Sequence, residues 1–360
     1  MAAAQLLRIA HVNLARGFGL SEQQTLLLIR NLAQMGVQQM LICRDNSLLP
    51  AKLRGTPFLK ILKVSGVSDP RFSGHFKVTR RYKLVCAHDE HGVNWAFLHF
   101  MMFGVPYVMA MHEHVEPVSS FYNRTTAAWA AAVVCAGVKS AEACSAAFKV
   151  KCKVIHNSVS SLKPFAPHVQ RLKDKYAGRL LVGQIGPLIN RLQGQSTLID
   201  AARLLENKIP DLVVLIIGEG SDLQLLKEKA EGLPNIKFLS LKHHTFSADY
   251  IAAMDIYVSP VKEGDEFTEQ LLLDVMDLGT PVITTALPGI TDFMQHGVNG
   301  FVLKDGTPEE LAQALLYMRD HAAQRRILAE RAKNTAAEHL PEDTALAYYQ
   351  LFQALMKDKA

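Results

Sequence analysis

The residues best placed to do chemistry lie between Glu263 and Ile283, in the run EGDEFTEQLLLDVMDLGTPVI. Glu266 and Asp274 stand eight positions apart, with Leu271, Leu272 and Leu273 ahead of the second acid. Gly279-Thr280-Pro281 then leads into the β-branched run Val282 to Thr285. The pattern reads as loop, helix, tight turn and strand. On a helix, positions i and i+8 are little over two turns apart and share a face. Two carboxylates would point one way from a helix start, where backbone N–H groups also accept anions. Such a place could hold a sugar hydroxyl, a ribose and a pyrophosphate together. An amphipathic helix with solvated acids has the same spacing.

Three further turns carry reactive residue types. The run RGFGLSEQQT follows a short apolar strand, residues 6–13, and opens a helix over Glu22 to Met35. Ser21 is its expected N-cap and Gly36 its stop. Gly17 and Gly19 allow positive φ and a close backbone approach, so helix N–H groups could face an anion; a plain turn accounts for both glycines equally. His112 and His114 end another strand and, two apart, share its face. No obvious third ligand accompanies them, so they are not read as a metal pair. A third strand closes on His88 and Asp89.

The elements that must position these residues alternate regularly. Strands are expected at 6–13, 37–43, 82–87, 107–111 and 131–136, with helical stretches between. A second series follows at 180–185, 212–217, 236–239, 256–258 and 282–284. That alternation predicts a parallel, doubly wound α/β sheet twice over. Pro164, Pro167 and the polar run to Tyr176 read as the linker. The domains are therefore 1–165 and 177–342, and an amphipathic helix over 343–357 ends the chain. A length of 360 residues, 49% hydrophobic and 20% charged, suits two globular cores.

The net charge of +5 conceals a split. Of 39 Lys plus Arg and 34 Asp plus Glu, residues 1–165 hold 19 and 8, a charge of +11, which leaves −6 for the rest. Lys52 to Lys83 contains nine basic residues and one acid, Asp69. A solvated basic face is one reading; the other is an anionic membrane surface bound through residues 52–83. Nucleic acid is not expected, because no helix-turn-helix, zinc or aromatic RNA-binding signature accompanies the charge. Five scattered cysteines without a C-x-x-C pair fit a cytoplasmic, reducing compartment. No leader is read at the N-terminus. The longest apolar region, 95–111, carries His99, Gly104 and Pro106 and reads as helix, turn and strand, not as a span of ~20 residues.

The segments LLLDVM and GTPVITT resemble the signature of the GT-B glycosyltransferases of family 4, an E-x7-E stretch followed by G-x-PVI, in the branch with Asp in the second acidic place. The resemblance covers most of residues 6–356 and is strongest over 212–303, through Gly218-Glu219-Gly220, Pro288 to Asp292 and Gly297 to Phe301. It implies two Rossmann-like doubly wound domains facing a central cleft, with the tail helix, 343–360, packing back on the first. It implies retaining transfer of a sugar from a nucleotide-sugar, a UDP-sugar being the expected donor, with no metal. The acceptor would be a glycan or lipid-linked, in cell-envelope polysaccharide or lipopolysaccharide core synthesis, with the protein peripheral on the inner face of the cytoplasmic membrane.

By the same resemblance Glu266 holds the donor sugar, with Glu263 as the alternative first acid, and Asp274 takes the ribose hydroxyls. Gly17, Gly19, Gly218, Glu219, Gln193, Phe267, Thr268 and Glu269 belong to the donor side. His112 stands beside the donor sugar, and His88, Asp89, His114 and Arg124 face the acceptor. Where the family carries an Arg and a Lys for the leaving diphosphate, this chain carries Gln184 and Gln193, and Arg191 is the cation left in that stretch. Two charge-assisted contacts would be lost. That keeps two other readings open: a weak or inactive GT-B module that binds a partner or glycan, and a sugar-nucleotide epimerase.

Overall fold

The computed structural model describes residues 7–64, 69–78, 81–112, 118–240, 247–262, 266–287 and 289–357. Glu263 and His114 lie outside these residues, as do the side chains of Glu266 and Phe267. The chain divides into two compact units, Met1–Ser160 with His339–Ala360, and Ser161–Glu338.

In the first unit the order is β1 (Arg8–Asn13), α1 (Leu20–Gln34), β2 (Gln38–Arg44), α2 (Leu49–Lys52), β3 (Leu59–Val64), β4 (Leu84–Ala87), α3 (Glu90–Phe103), β5 (Tyr107–Met111), α4 (Phe121–Trp129), β6 (Ala132–Cys135), α5 (Val138–Phe148) and β7 (Cys152–Val154). Two 3-10 turns, Pro70–Phe72 and His75–Lys77, precede β4. All strand pairs are parallel, in the order β3-β2-β1-β4-β5-β6-β7. The central strands are apolar runs because helices cover both faces of such a sheet. One face buries Val12, Val85, Trp95 and Tyr107. The other buries Ile9, Leu28, Leu32 and Cys86 under Tyr348, Leu351 and Phe352 of the last helix. Each fully buried side chain of this kind is worth roughly 1.5–3 kcal/mol.

The second unit holds α6 (Ala166–Lys175), β8 (Leu180–Ile185), α7 (Asn190–Gln193), α8 (Gln195–Leu205), β9 (Leu212–Ile217), α9 (Leu223–Lys229), β10 (Ile236–Leu239), α10 (Ser247–Ala253), β11 (Ile256–Ser259), α11 (Glu266–Asp277), β12 (Val282–Thr285), α12 (Ile290–Phe293), β13 (Phe301–Leu303), α13 (Pro308–Asp320) and α14 (Ala322–Ala336). Its sheet is also parallel, ordered β10-β9-β8-β11-β12-β13. The last helix, α15 (Pro341–Lys357), belongs to the first unit and packs on α1.

Three local expectations are corrected. The stretch 166–175, read as linker, is helical: Pro167 falls in the first turn, where its missing N–H costs nothing. Helix α1 begins at Leu20, with Gly19 in the N-cap position. Ser21, the expected cap, instead donates its hydroxyl to the His88 carbonyl at 2.7 Å. Gly19 is extended, with φ −110° and ψ −157°, so of that glycine pair only Gly17, at φ 110°, is left-handed.

Against α3 the rings of His75, Trp95 and His99 stack, 4.3 Å between His75 and Trp95 and 4.8 Å between Trp95 and His99. Burial lowers the pKa of His75 and pulls His99 down to about 4. Between that value and the ordinary 6.5, His99 binds fewer protons folded than unfolded, so its contribution to stability is lost as pH falls through this window. The urea midpoint is therefore expected to be lower at pH 5 than at pH 7, and His99→Phe to narrow the difference. An undiminished difference in the variant would clear His99 of any part in acid sensitivity.

Candidate functional site at the strand ends

In both sheets the strand order reverses once, between β1 and β4 and between β8 and β11. Loops after those strands diverge and leave a crevice at the carboxyl ends, where ligands bind in such folds. Gly17 and Gly19 follow β1, His88 and Asp89 follow β4, and His112 follows β5. Arg191 and Gln193 follow β8, Gly218 and Glu219 follow β9, and the α11 residues Glu266, Phe267, Thr268, Glu269 and Asp274 follow β11.

In the first unit a buried polar network binds these loops together. Asn13 at the end of β1 donates to Ser21 Oγ at 3.1 Å and Thr25 Oγ1 at 3.0 Å. Asp89 accepts from the backbone of Leu14 at 2.8 Å and of Gly92 at 3.2 Å, and so caps α3. Burial raises its carboxyl to about 7, against the pull of those N–H groups, and nearby Glu22 adds to the rise. Glu22 accepts from Gly19 N at 3.0 Å through Oε2, while its Oε1 is buried without a hydrogen-bond partner. His88, Asp89, Asn94, Met109, His112 and Asn123 help to line a cavity of about 330 Å³. Arg124 lies on the exposed side of α4 and is not among the lining residues.

His112 is 5% exposed, and both its ring nitrogens are engaged: Nε2 with His88 Nδ1 and Nδ1 with Asn157 Oδ1, each at 3.0 Å. In this arrangement no ring nitrogen remains for a sugar hydroxyl. A ligand would gain one by displacing Asn157 or His88.

The second unit explains why glutamines replace cations. Gln184 donates to the Gln193 carbonyl at 2.8 Å, and Gln193 donates to Thr268 Oγ1 at 3.1 Å. Gln184, Gln193 and Thr268 are each 2% exposed. This neutral strut joins β8, α7 and α11. A Lys or Arg confined there would bury an ionised group. Arg191 is exposed on α7. A second cation, Lys262, comes to the same turn from the end of β11. Its N–H donates to the Leu192 carbonyl at 2.9 Å, and its Cγ stands 3.6 Å from where a Gly194 Cβ would be. On α11, Asp274 is 5% exposed and accepts from Gln270 at 3.1 Å. Glu219 accepts from Ser240 Oγ.

Sequence reasoning passed over Lys262, Asn157 and His11. Lys262 had a signal, a cation beside the acidic stretch. Asn157 and His11 had none beyond residue type.

Residues 179–321 match the family model for glycosyl transferases, group 1. An uncharacterized glycosyltransferase of Methanocaldococcus jannaschii is 26% identical over 191 residues, 52% of this chain and 48% of its own length. The lipopolysaccharide core biosynthesis glycosyltransferase LpsE of Rhizobium meliloti is 28% identical over 209 residues, 57% of this chain and 58% of its own. The chain thus spans about half the length of the curated relatives it matches. Anabaena HepE, crystallised with UDP-glucose, superposes with a TM-score of 0.78 at 17% identity, over 97% of this chain and 100% of that one. A glycosyltransferase from Rickettsia africae gives 0.82 at 16%, over 98% and 99%. The fold is that of the GT-B glycosyltransferases, two Rossmann-like α/β domains. Within it, most of the second unit carries the group 1 glycosyl transferase pattern.

Gly218 has a structural duty in this site. At φ 155°, its missing Cβ would lie 1.9 Å from the Gly186 carbonyl oxygen, where the loop after β8 meets the end of β9 and Gly186 N–H donates to the Ile217 carbonyl at 3.0 Å. Gly218→Ala is expected to cost at least about 1–3 kcal/mol in urea unfolding. Wild-type stability in that variant would mean the loop is free to move aside.

Proposed function

We propose that this chain transfers a sugar from a nucleotide-diphosphate sugar, a UDP-sugar, to a lipid-linked or glycan acceptor with retention of configuration and without a metal. The observation that carries the reading is the grouping in the second unit. The segment that matches group 1 glycosyl transferases brings Arg191, Gly218, Glu219 and α11 to the carboxyl ends of β8, β9 and β11. The HepE complex with UDP-glucose supports the donor class. Asp274 would hold the ribose hydroxyls and Glu266, or Glu263 in its stead, the donor sugar. Backbone N–H groups at the start of α11 would meet the diphosphate. Arg191 and Lys262 together would supply the positive charge that Gln184 and Gln193 cannot, steadying the charge that grows on the leaving group. His112 would serve the sugar by exchanging Asn157 for it.

The test is donor binding followed by turnover. UDP at 100 times its dissociation constant should stabilise the protein by about 2.7 kcal/mol. Arg191→Ala and Lys262→Met should each slow transfer by about 10-fold or more. Turnover unchanged in both variants would remove the cation assignment. A second reading, a GT-B module without catalysis, is favoured by the two neutral glutamines; it predicts no thermal shift with any nucleotide sugar.

The acceptor is proposed to be membrane-borne, with the protein on the inner face of the cytoplasmic membrane in envelope glycan or lipopolysaccharide core synthesis. The relative LpsE supports the pathway. Among the described residues no helix is long and apolar enough to cross a membrane. The first unit instead exposes aromatics near its basic stretch: Phe76 is 84% and Phe121 80% exposed, with Phe72, Met101 and Trp129 also on the surface. Phe76 meets Phe103 edge-on at 5.6 Å, and the Arg71 guanidinium lies over Phe72 at 6.0 Å. Aromatic rings with nearby cations suit an anionic headgroup layer. Cosedimentation with vesicles of phosphatidylglycerol should fall as salt rises and fall further in Phe76→Ser/Phe121→Ser. Binding indifferent to both would end the membrane assignment.

A further inference from the structure

Three imidazoles lie end to end in the core of the first unit. His112 Nδ1 faces Asn157 Oδ1, His112 Nε2 faces His88 Nδ1, and His88 Nε2 faces His11 Nδ1, each at 3.0 Å. None of the three histidines is more than 5% exposed. An amide oxygen closes one end of the row, and at the other the Gln39 amide oxygen makes no hydrogen bond. Asn157 Nδ2 donates to the His112 carbonyl at 2.8 Å, which turns its Oδ1 to the ring. Gln39 Nε2 donates to the Ile29 carbonyl at 2.9 Å, which leaves its Oε1 as the group that acts on His11.

Hydrogen counting then leaves a deficit. A neutral imidazole has one N–H and one lone pair. Three rings bring three hydrogens, enough for the three contacts that run from His11 to Asn157. None is left for the far end, where His11 Nε2 and Gln39 Oε1 are both buried without a hydrogen-bond partner. One more positive centre would complete the row. A proton would put an unpaired charge into a dry core, which is costly. A metal ion at the His11–His88 contact can bring a counter-charge with it, because Cys86 pairs with His11 in the β1–β4 register and shares a strand face with His88. One donor atom from each of His11, Cys86 and His88 lies within 4.8 Å of the other two.

We propose that His11, Cys86 and His88 form a buried site for a soft d10 cation, copper(I) or zinc(II). The ion accepts lone pairs from His11 Nδ1, His88 Nε2 and the Cys86 thiolate, and the thiol proton leaves to solvent. His11 Nε2–H then donates to Gln39, His88 Nδ1–H to His112, and His112 Nδ1–H to Asn157. Three contacts remain and three hydrogens fill them. Such outer partners fix the tautomers of metal-bound histidines. With metal–nitrogen bonds of ~2.0–2.1 Å and metal–sulfur bonds of ~2.3 Å, the two ring nitrogens, now 3.0 Å apart, would part by roughly 0.5 Å to admit the ion, while the Cys86 sulfur closes on it. Copper(I) with one thiolate is uncharged, whereas zinc(II) leaves one positive charge, so copper(I) is the less costly occupant. The proposal does not depend on the transferase reading.

The experiment uses the full chain without an affinity tag, expressed with copper and zinc supplied and analysed by inductively coupled plasma mass spectrometry. About one equivalent of copper or zinc per chain is expected, and the element found identifies the ion. Folded Cys86→Ser should retain at least about tenfold less. X-ray absorption at the metal edge of the wild-type protein, which needs no variant, should show one sulfur and two nitrogen neighbours. Folded wild-type protein free of both metals overturns the proposal. So does metal undiminished in folded Cys86→Ser, or a metal shell without sulfur.

Discussion

The pairing of β1 with β4, and of β8 with β11, is the constraint on which the chemistry of this protein rests. In each sheet the chain first builds outward in one direction, then returns to the opposite side of the starting strand. Loops on either side of that junction run apart, and the polar strand ends are left facing a gap. The sequence fills those ends with the reactive residue types. In the first unit, Leu14 donates to Asp89 and Ser21 donates to the His88 carbonyl, so the loops after β1 and β4 hold one another. In the second, the Gln184–Gln193–Thr268 strut does the same for β8, α7 and α11.

Burial decides the charge of these groups. Desolvation pushes Asp89 up and His11, His88 and His112 down, which in each case favours the neutral form. The glutamines in the expected cation places obey the same rule: where a side chain must cross the interior to reach its partner, a neutral amide reaches it without burying an ionised group. The cations Arg191 and Lys262 sit where solvent reaches them. The chain thus separates the residues that build the site from those that could meet a charged ligand.

Strands at 107–111, 180–185, 212–217 and 236–239 were legible to the residue. Most of these are continuous apolar runs bounded by turn residues, the pattern of a parallel strand covered on both faces. Helices α13 and α14 went unread, and the rest of what escaped was at the margins. Strand β3, LKILKV, is an edge strand with lysines that blur its pattern, and β7 and β13 are three residues long, too short to leave one. The helix over 166–175 was hidden by prolines, because Pro reads as a breaker although the first helical turn tolerates it.

By itself, the sequence determined the period and order of the elements, the residue types at the strand ends and the unequal charge of the two halves, because each is written in adjacent residues. Tertiary structure alone decided that His11, His88, His112 and Asn157 form one row, that His112 spends both ring nitrogens inside it, and that Lys262 reaches the turn of Gly194. Those residues are far apart along the chain and meet through parallel pairing and the turns that follow it. Local pattern can say that a histidine ends a strand; which neighbour it faces is settled by the strand laid beside it.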